Sequence, residues 1–318
     1  MTAAHRRPVG RDRRAAVLAH FDADGAVAPH VVRLIDALAV VAARVVVVST
    51  SGIDAETRGR LPVGVEVLER ANTGHDFAGY RAGIDLLDLS TLGELIVVND
   101  SAVLPLVPFD EILGRRDADV WGLTPGYGFA PHLQSYFLVF GPRALASPAF
   151  SAFWRTVEVD ADRDRVIASS EVGLGTAMRD GGLSIGAFYR PGLRDRLIGA
   201  ARAHGAEVAA HVRDRRWRRV AGWVRRTVQR ARQPEWNVSA ALADRALGAR
   251  PRLPAVKLSV LRDDPYGLGT PHLLSMLERR HPVAFDGVRE YLARTDHAYA
   301  DRWQATQRSR PQGLRYRA

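Results

Sequence analysis

A polar loop, a helix and a buried strand that ends in polar residues succeed one another between Asn72 and Ser101. The loop carries Gly74, and apolar side chains at helical spacing follow it. The apolar strand predicted over residues 94–98 then runs directly into Asn99-Asp100-Ser101. In open α/β sheets, ligands bind beyond the carboxyl ends of the strands. We therefore expect the functional site of this chain at the polar triplet.

The first half of the chain alternates strand and helix patterns at the spacing of a parallel sheet with crossover helices. Residues 44–49, nearly all valine, predict a strand buried on both faces. Strands are predicted over residues 15–21, 44–49, 65–69, 94–98, 120–124 and 135–140, and helices over 28–41, 77–87, 150–157 and from near Ser169 to Gly181. The pattern predicts an α/β fold in which helices flank a mostly parallel sheet, with a helical extension after it.

Composition limits the classes of protein that remain. With 318 residues and 47% hydrophobic side chains, the chain can form one large domain with a full core. Because cysteine is absent, disulfides and thiolate metal sites are excluded. No run approaches the roughly 18 apolar residues of a membrane-spanning helix, and the basic N-terminus lacks the pattern of a signal peptide. These features predict a cytoplasmic protein.

Charge divides the chain into parts. The net charge is +10, and Lys257 is the only lysine, so arginine supplies almost all of a balance that favours an anionic partner. Nine arginines and a single acid occur between Arg213 and Arg232. We predict a basic tail (1–14), an α/β domain (15–190), a basic helical insert (191–236) and a C-terminal segment (237–318) that packs on the α/β domain.

Five sequence segments carry a resemblance to a known family. They are NTGHDFAGYRAGI, VVNDSAVLPL, DADVWGLT, HLQSYFLVF and SEVGL, and they cover roughly residues 15–187. Their order resembles that of nucleotide-sugar transferases with the GT-A fold and, more closely, the rhamnan synthesis F family of polysaccharide biosynthesis proteins. The resemblance implies a GT-A-like domain over residues 15–190.

The same resemblance implies a function. A sugar, rhamnose or a related deoxyhexose, would pass with inversion from a nucleotide-diphosphate donor to a growing cell-surface polysaccharide. The acceptor would be lipid-linked or polymeric, and the enzyme would be peripheral at the inner face of the plasma membrane.

For the donor side, the resemblance implies that Asp100 binds Mg²⁺ or Mn²⁺, which offsets the charge that builds on the leaving diphosphate. The family's usual motif has two acids, whereas this triplet has one; Mg²⁺ accepts few protein ligands, so a single carboxylate remains compatible. The alternative is that Asp100 only shapes a turn or caps a helix. The candidate donor-binding residues are Asp22, Asn72, Gly74, His75, Asp76, Arg81, Asn99, Asp100 and Ser101.

Glu171 is the candidate general base for the acceptor hydroxyl, since an inverting transferase needs a carboxylate there. The alternative is an ordinary first-turn glutamate that interacts with the helix dipole. Acceptor contacts are expected from stacking aromatic rings and hydrogen-bonding side chains, although buried aromatics are more often part of the core. The candidates are Trp121, Thr124, His132, Gln134 and Tyr136.

Two other functions compete with glycosyl transfer. Asp22 and Asp24 form a D-x-D-G motif after the first strand, as in haloacid-dehalogenase phosphatases, where the first aspartate is the nucleophile. The sequence lacks a well-placed lysine and late acidic pair for that chemistry. The second alternative is a non-catalytic, membrane-associated scaffold of glycan assembly.

The basic stretch between Arg213 and Arg232 indicates how the chain could reach a membrane. Drawn as a helix, it places Trp217, Val220 and Val224 on one stripe among arginines, a pattern that favours an anionic membrane surface. The alternative is a solvated helix that packs its stripe on the α/β domain. No groove-docking motif or stacking platform is present, so nucleic acid is not expected as a partner.

Overall fold

The computed structural model describes residues 9–114, 118–126, 131–157, 167–212, 236–248 and 251–308. The basic stretch between Arg213 and Arg232, including its proposed membrane face, lies outside the described residues, as do residues 1–8 of the predicted tail.

A seven-stranded sheet forms the centre of the described structure, in the order β10-β6-β9-β4-β1-β2-β3. Its strands are Arg14–His20 (β1), Arg44–Ser49 (β2), Val65–Glu69 (β3), Glu94–Asn99 (β4), Val120–Gly122 (β6), Phe137–Phe140 (β9) and Ile185–Ala187 (β10). All neighbouring pairs are parallel except those of β9, which runs antiparallel to β4 and β6. Two small antiparallel ladders pair Ala102–Val103 (β5) with Val256–Lys257 (β11), and Pro125–Gly126 (β7) with His132–Leu133 (β8).

Helices cover both faces of this sheet. In the first part they are Pro29–Val41 (α1), Ala55–Gly59 (α2), His75–Ile84 (α3), Phe109–Leu113 (α4), Pro142–Leu145 (α5) and Pro148–Thr156 (α6). A π-helix, Ile167–Val172, leads into Gly173–Asp180 (α7). The later helices are Leu193–Val212 (α8), Val238–Ala241 (α9), Ala243–Ala246 (α10), Leu258–Asp263 (α11), Thr270–Arg280 (α12), Pro282–Phe285 (α13) and Val288–Arg308 (α14), and short 3₁₀ helices lie at Arg11–Arg13 and Leu89–Thr91.

The two faces of the sheet form separate apolar layers. Helix α1 and the segments after residue 236 bury side chains in one layer, and helices α3, α6 and α7 bury theirs in the other. Helix α3 packs so closely on β1 that a Cβ atom on Gly83 would stand 2.4 Å from a methyl group of Val17. This close packing fixes the N-terminal end of α3 beside the carboxyl ends of β1 and β4.

The predicted fold class, a mostly parallel sheet flanked by helices, is confirmed. Some boundaries differ from the predicted ones. Strand β6 ends at Gly122 because Thr124 turns towards Gln134, whose N–H donates to the Thr124 carbonyl at 3.0 Å. Asn99 is the last residue of β4 and does not follow it.

Among the described residues, no helix combines the length and the apolar character that crossing a membrane requires.

Candidate active site

The end of β4 is held by a bridge through Asn99. The Asn99 side-chain amide donates to the Asp76 carboxylate at 2.6 Å, and its oxygen accepts from the N–H and hydroxyl of Ser101 at 3.1 and 2.6 Å. Asn99 therefore links the start of α3 to the turn that follows β4. This contact gives Asn99 and Ser101 a positioning role.

The start of α3 depends on left-handed backbone. Gly74 has φ +74° and caps the helix, and His75 follows with φ +51°. Glycine adopts this region without strain, which explains its place in the loop. The turn exposes His75 and leaves Asp76 half-buried in the first helical turn. Burial raises the pKa of Asp76, against the Asn99 hydrogen bond and the charge of Lys257, which lower it.

Asp100 points back to the end of β1. Its carboxylate accepts the Phe21 N–H at 2.7 Å, and its carbonyl lies 3.4 Å from the His30 ring nitrogen Nε2. Burial raises the pKa of Asp100 to about 8; the Phe21 N–H opposes this shift, and the charge of Asp76 adds to it. The charge of Asp76 thus disfavours the ionisation of Asp100.

Glu171 lies in the π-helix that precedes α7, an uncommon helical form that occurs often at functional sites. One carboxylate oxygen accepts the Ser135 N–H at 3.1 Å and the Ser135 hydroxyl, and the other lies 3.3 Å from His132 Nε2. Burial acts to raise the pKa of Glu171, but the hydrogen bonds from His132 and Ser135 outweigh it and hold the pKa below its ordinary value. The side chain remains 19% exposed.

Tyr80 connects the two groups of carboxylates. It is fully buried in α3, and its hydroxyl donates to the Ser135 carbonyl at 2.9 Å. Burial and the charges of Asp76, Asp100 and Glu171 all raise its pKa. The charges of three predicted acids, distant in sequence, therefore all act on one phenol.

The paired acids suit a cation, although they do not form a complete metal centre. No group of three or more His, Asp or Glu side chains in the described parts of the chain is arranged to hold a metal ion. Burial nevertheless raises the pKa of both Asp76 and Asp100, and the charge of Asp76 raises that of Asp100 further, which is a cost that a divalent cation relieves. Asp76 supplies the second acid that the triplet lacks, so the donor set fits Mg²⁺ or Mn²⁺ with further ligands from a substrate.

Lys257 also lies near these acids. Its ammonium stands 5.1 Å from the centroid of the Tyr136 ring, and its charge acts to lower the pKa of both Asp76 and Glu171. The sequence patterns did not place this residue at the site. Its one distinguishing signal is that it is the chain's single lysine.

The predicted acceptor residues require correction. Trp121 is 2% exposed in β6 and packs against Phe137 at 5.9 Å, so it belongs to the core and is not a wall for a sugar ring. Thr124 and Tyr136 are 0% and 1% exposed and bond to each other at 3.1 Å. The Gln134 oxygen accepts from Thr124 at 2.6 Å and from Ser239 at 2.9 Å.

These contacts form a buried polar network. The predicted acceptor side chains in it face inward because strand β9 and the residues that lead into it are covered on both sides. Of the predicted acceptor residues, His132 alone contacts Glu171.

Asp22 lies at the end of β1 and is 3% exposed. Arg294 of α14 donates to its two oxygens at 2.9 and 2.6 Å and also binds Asp24. Burial acts to raise the pKa of Asp22, but Arg294 and the N–H groups of Asp24 and Ala26 hold it below its ordinary value. An arginine on both oxygens is unfavourable for the nucleophile of a phosphatase, and it also leaves Asp22 with a structural contact where donor binding was predicted.

Two other predicted donor residues lie apart from the acids. Asn72 is exposed in the loop before α3. Arg81 donates to the Val157 carbonyl at 3.0 Å, which holds α3 against the end of α6, and lies 3.8 Å from Asp85 at the end of its own helix. Asp119, at the amino-terminal end of β6, is 1% exposed and accepts from Ser184 and Arg143, so it is structural.

The central part of the chain has relatives among known proteins. Residues 45–192 match the rhamnan synthesis protein F family. The resemblance predicted from the sequence is confirmed over this segment, which contains Asp76, Asp100 and Glu171. Lys257 and Arg294 lie outside the part that matches rhamnan synthesis protein F.

One curated relative is an uncharacterized protein, y4gN, of Sinorhizobium fredii, 31% identical over 157 residues. The match covers 46% of this chain, and the chain spans 41% of the length of that relative.

Among solved structures, the glycosyltransferase GlyE of Streptococcus pneumoniae is 12% identical, with a TM-score of 0.39 over 73% of this chain and 63% of that one. A mannosyltransferase of Pyrobaculum calidifontis, solved with GDP-Man and Mn²⁺, is 13% identical, with a TM-score of 0.34 over 94% of this chain and 90% of that one.

Proposed function

We propose that this chain is a glycosyltransferase that uses a nucleotide-diphosphate sugar as donor. The observation that carries the proposal is a set of hydrogen bonds at the carboxyl ends of the sheet's strands, from Asn99 to Asp76, from Tyr80 to Ser135 and from Ser135 to Glu171. This is the edge at which α/β proteins bind their ligands. The match of residues 45–192 to the rhamnan synthesis protein F family supports a role in polysaccharide biosynthesis.

The donor diphosphate would lie at Asp76 and Asp100. A divalent cation held by these carboxylates would supply positive charge to the leaving diphosphate. The chain itself would hold the two carboxylates in fixed positions. Phe21 fixes the Asp100 side chain through its N–H, and Asn99 fixes Asp76. Both carboxylates are preorganised before a ligand arrives, so little reorganisation is needed during the reaction.

Glu171 would accept the proton of the acceptor hydroxyl. Its low pKa keeps it ionised at neutral pH, which is the form a base requires. Ser135 fixes one oxygen, and the oxygen near His132 is the one that would face the acceptor. The hydroxyl oxygen would attack the anomeric carbon as the bond to the diphosphate breaks, so the reaction proceeds with inversion.

The finer assignment follows from the family and from the charge of the chain. The sugar would be rhamnose or a related deoxyhexose, and the acceptor a lipid-linked or polymeric surface glycan. The basic stretch between Arg213 and Arg232 would hold the enzyme at the inner face of the plasma membrane.

A panel of nucleotide sugars tests the proposal. Purified protein is incubated with UDP-, dTDP- and GDP-sugars, with and without Mn²⁺, and release of the nucleoside diphosphate is measured. We expect release from one donor class, lost in Glu171→Gln and retained in Asp110→Asn, which changes an exposed acid on α4. Phosphate release from phosphomonoesters would instead support the phosphatase alternative. Inactivity in both assays would support the non-catalytic scaffold.

A further inference from the structure

The C-terminal segment places Lys257 beside the polar triplet through its backbone. Strand β11 pairs with β5 so that Lys257 stands opposite Ala102, and the Leu258 N–H donates to the Ser101 carbonyl at 2.9 Å. Strand β5 follows Asn99-Asp100-Ser101 with no intervening loop. The position of Lys257 is therefore fixed relative to Asp100 by main-chain hydrogen bonds, although the two residues are far apart in sequence.

The side chain of Lys257 extends from this ladder towards the acids. The ammonium lies 5.1 Å from the Tyr136 ring centroid, and the ring is held by the bond between the Tyr136 hydroxyl and Thr124 at 3.1 Å. Among the causes that lower the pKa of Asp76 and of Glu171, the charge of Lys257 is common to both. Tyr136 follows Ser135, which binds Glu171, and the Tyr136 carbonyl accepts the Asn99 N–H at 3.3 Å. The ammonium thus lies over a ring whose backbone joins the segment that holds Glu171 to the end of β4.

The charge of the site requires such a cation. Three carboxyl groups raise the pKa of Tyr80 through their charge, and a nucleoside diphosphate brings further negative charge, so binding without positive charge would be opposed by repulsion. A lysine ammonium offers a compact charge and three donors for phosphate oxygens. Arginine supplies every other Lys/Arg position in this sequence, so a lysine at this one position marks a site where the smaller group is used.

We propose that Lys257 binds the diphosphate of the donor and stabilises it as the leaving group, between Asp76 and Glu171. The inference rests on the proposed function. As the bond between the anomeric carbon and the diphosphate oxygen breaks, the electron pair stays on that oxygen, and the ammonium stabilises the added charge. The acceptor proton goes to Glu171, so Lys257 neither gives nor takes one.

Because the chain has a single lysine, the proposal can be tested on the unaltered sequence. Reductive methylation with ¹³C-formaldehyde labels the ε-amine of Lys257 and the N-terminal amine of a tag-free protein and preserves their charge. The Lys257→Arg protein lacks the lysine signal and so assigns it. We expect UDP, dTDP, GDP or CDP to shift the Lys257 signal, and the matching nucleoside to leave it unchanged.

Affinity of the folded variants gives an independent measurement. Lys257→Met should weaken binding of that nucleoside diphosphate by about 10- to 100-fold, with nucleoside affinity unchanged, and Lys257→Arg should recover most of the loss. Arg252→Met is the matched control: it removes a cation of the same segment that lies over the Tyr189 ring and pairs with Asp195. It should leave affinity for the diphosphate unchanged.

The outcomes separate the two proposals. If the wild-type protein binds none of the four nucleoside diphosphates, the proposed function and the role of Lys257 fail together. If it binds one while the Lys257 signal stays fixed and Lys257→Met binds as tightly, the role of Lys257 alone is overturned. If Lys257→Met does not fold, the titration of the labelled wild-type protein decides.

Discussion

Removal of Arg294 should destabilise the folded protein, because this side chain holds the end of β1. The guanidinium of this α14 residue donates to both oxygens of Asp22, at 2.9 and 2.6 Å, and also binds Asp24. The Asp22 side chain is 2% exposed and that of Arg294 is 35% exposed. In Arg294→Ala, the buried carboxylate would therefore keep its charge and lose its main partner.

The expected loss of stability follows from these contacts. Breaking a fully buried ion pair by removing one partner costs about 3–5 kcal/mol. Here the N–H groups of Asp24 and Ala26 still donate to Asp22, at 2.9 and 3.3 Å, and water can reach the place of the guanidinium. We expect a destabilisation of about 2–3 kcal/mol, below the range for a fully enclosed pair. At an m-value of about 3 kcal/mol/M, the urea midpoint falls by roughly 0.7–1 M.

Urea unfolding followed by tryptophan fluorescence measures this loss. Arg289→Ala is the control, because Arg289 lies on the same helix and forms a pair with Glu278 at 2.7 Å that is largely exposed. Exposed pairs contribute little to stability, so its midpoint should stay at the wild-type value. Both variants change arginine to alanine in one helix, which cancels the effect of helix propensity.

Two further results would refute the reasoning. The first is equal midpoints for Arg294→Ala and Arg289→Ala. The second concerns pH: the pKa of Asp22 is depressed in the folded protein, so its pairing stabilises above the unfolded pKa of about 3.9 and is lost as the pH falls through the folded pKa. The difference between wild type and Arg294→Ala should be full at pH 7 and shrink below about pH 4. A constant difference would show that the ion pair is not its source.

Three other predictions concern the proposed activity. Asp100→Asn should reduce metal-dependent turnover by about 10²-fold, and full activity of the folded variant or of the wild type in EDTA would exclude the metal role. Glu171→Gln should abolish transfer while donor affinity stays near normal; since the pKa of Glu171 lies below its ordinary value, protonation of Glu171 should reduce wild-type transfer, at saturating donor and Mn²⁺, as the pH falls through that low pKa. Sedimentation with anionic vesicles should be weakened by salt and lost when four basic residues of the stretch after residue 212 become glutamine, while equal binding of the variant would indicate a solvated surface. These four residues are Arg215, Arg216, Arg218 and Arg219.

The sequence predicted well the elements whose patterns are local. The valine run of β2 has the predicted bounds, Arg44–Ser49, because it is buried in the centre of the sheet and tolerates only apolar side chains. The loop at Gly74 and the triplet at the end of β4 were recognisable because glycine and clustered polar residues mark the ends of regular elements. The hydrogen bond from Asn99 to Asp76 could not be recognised from the sequence, because no local pattern shows which loops meet at the edge of a sheet.

Long-range contacts explain the remaining errors. Strands β5 and β11 have two residues each, too few for any alternation, so the ladder that brings Lys257 to the triplet left no signal. The wrong prediction for Trp121 has a similar cause. In sequence, a tryptophan beside a glycine at a strand end fits the wall of a ligand site as well as it fits the core, and only the packing against Phe137 places it in the core. Arg294 and Asp22 are separated by almost the whole chain.

The carboxyl groups of the site differ in a way that supports the different roles proposed for them. Glu171 accepts hydrogen bonds from both sides and has a lowered pKa, whereas Asp100 accepts one backbone N–H, faces the charge of Asp76 and has a pKa of about 8. Groups whose environments push their pKa values apart perform different parts of a reaction. Glu171 is ready as a base without any ligand. Burial raises the pKa of both Asp76 and Asp100, so added positive charge at the donor end of the site would favour their ionised forms.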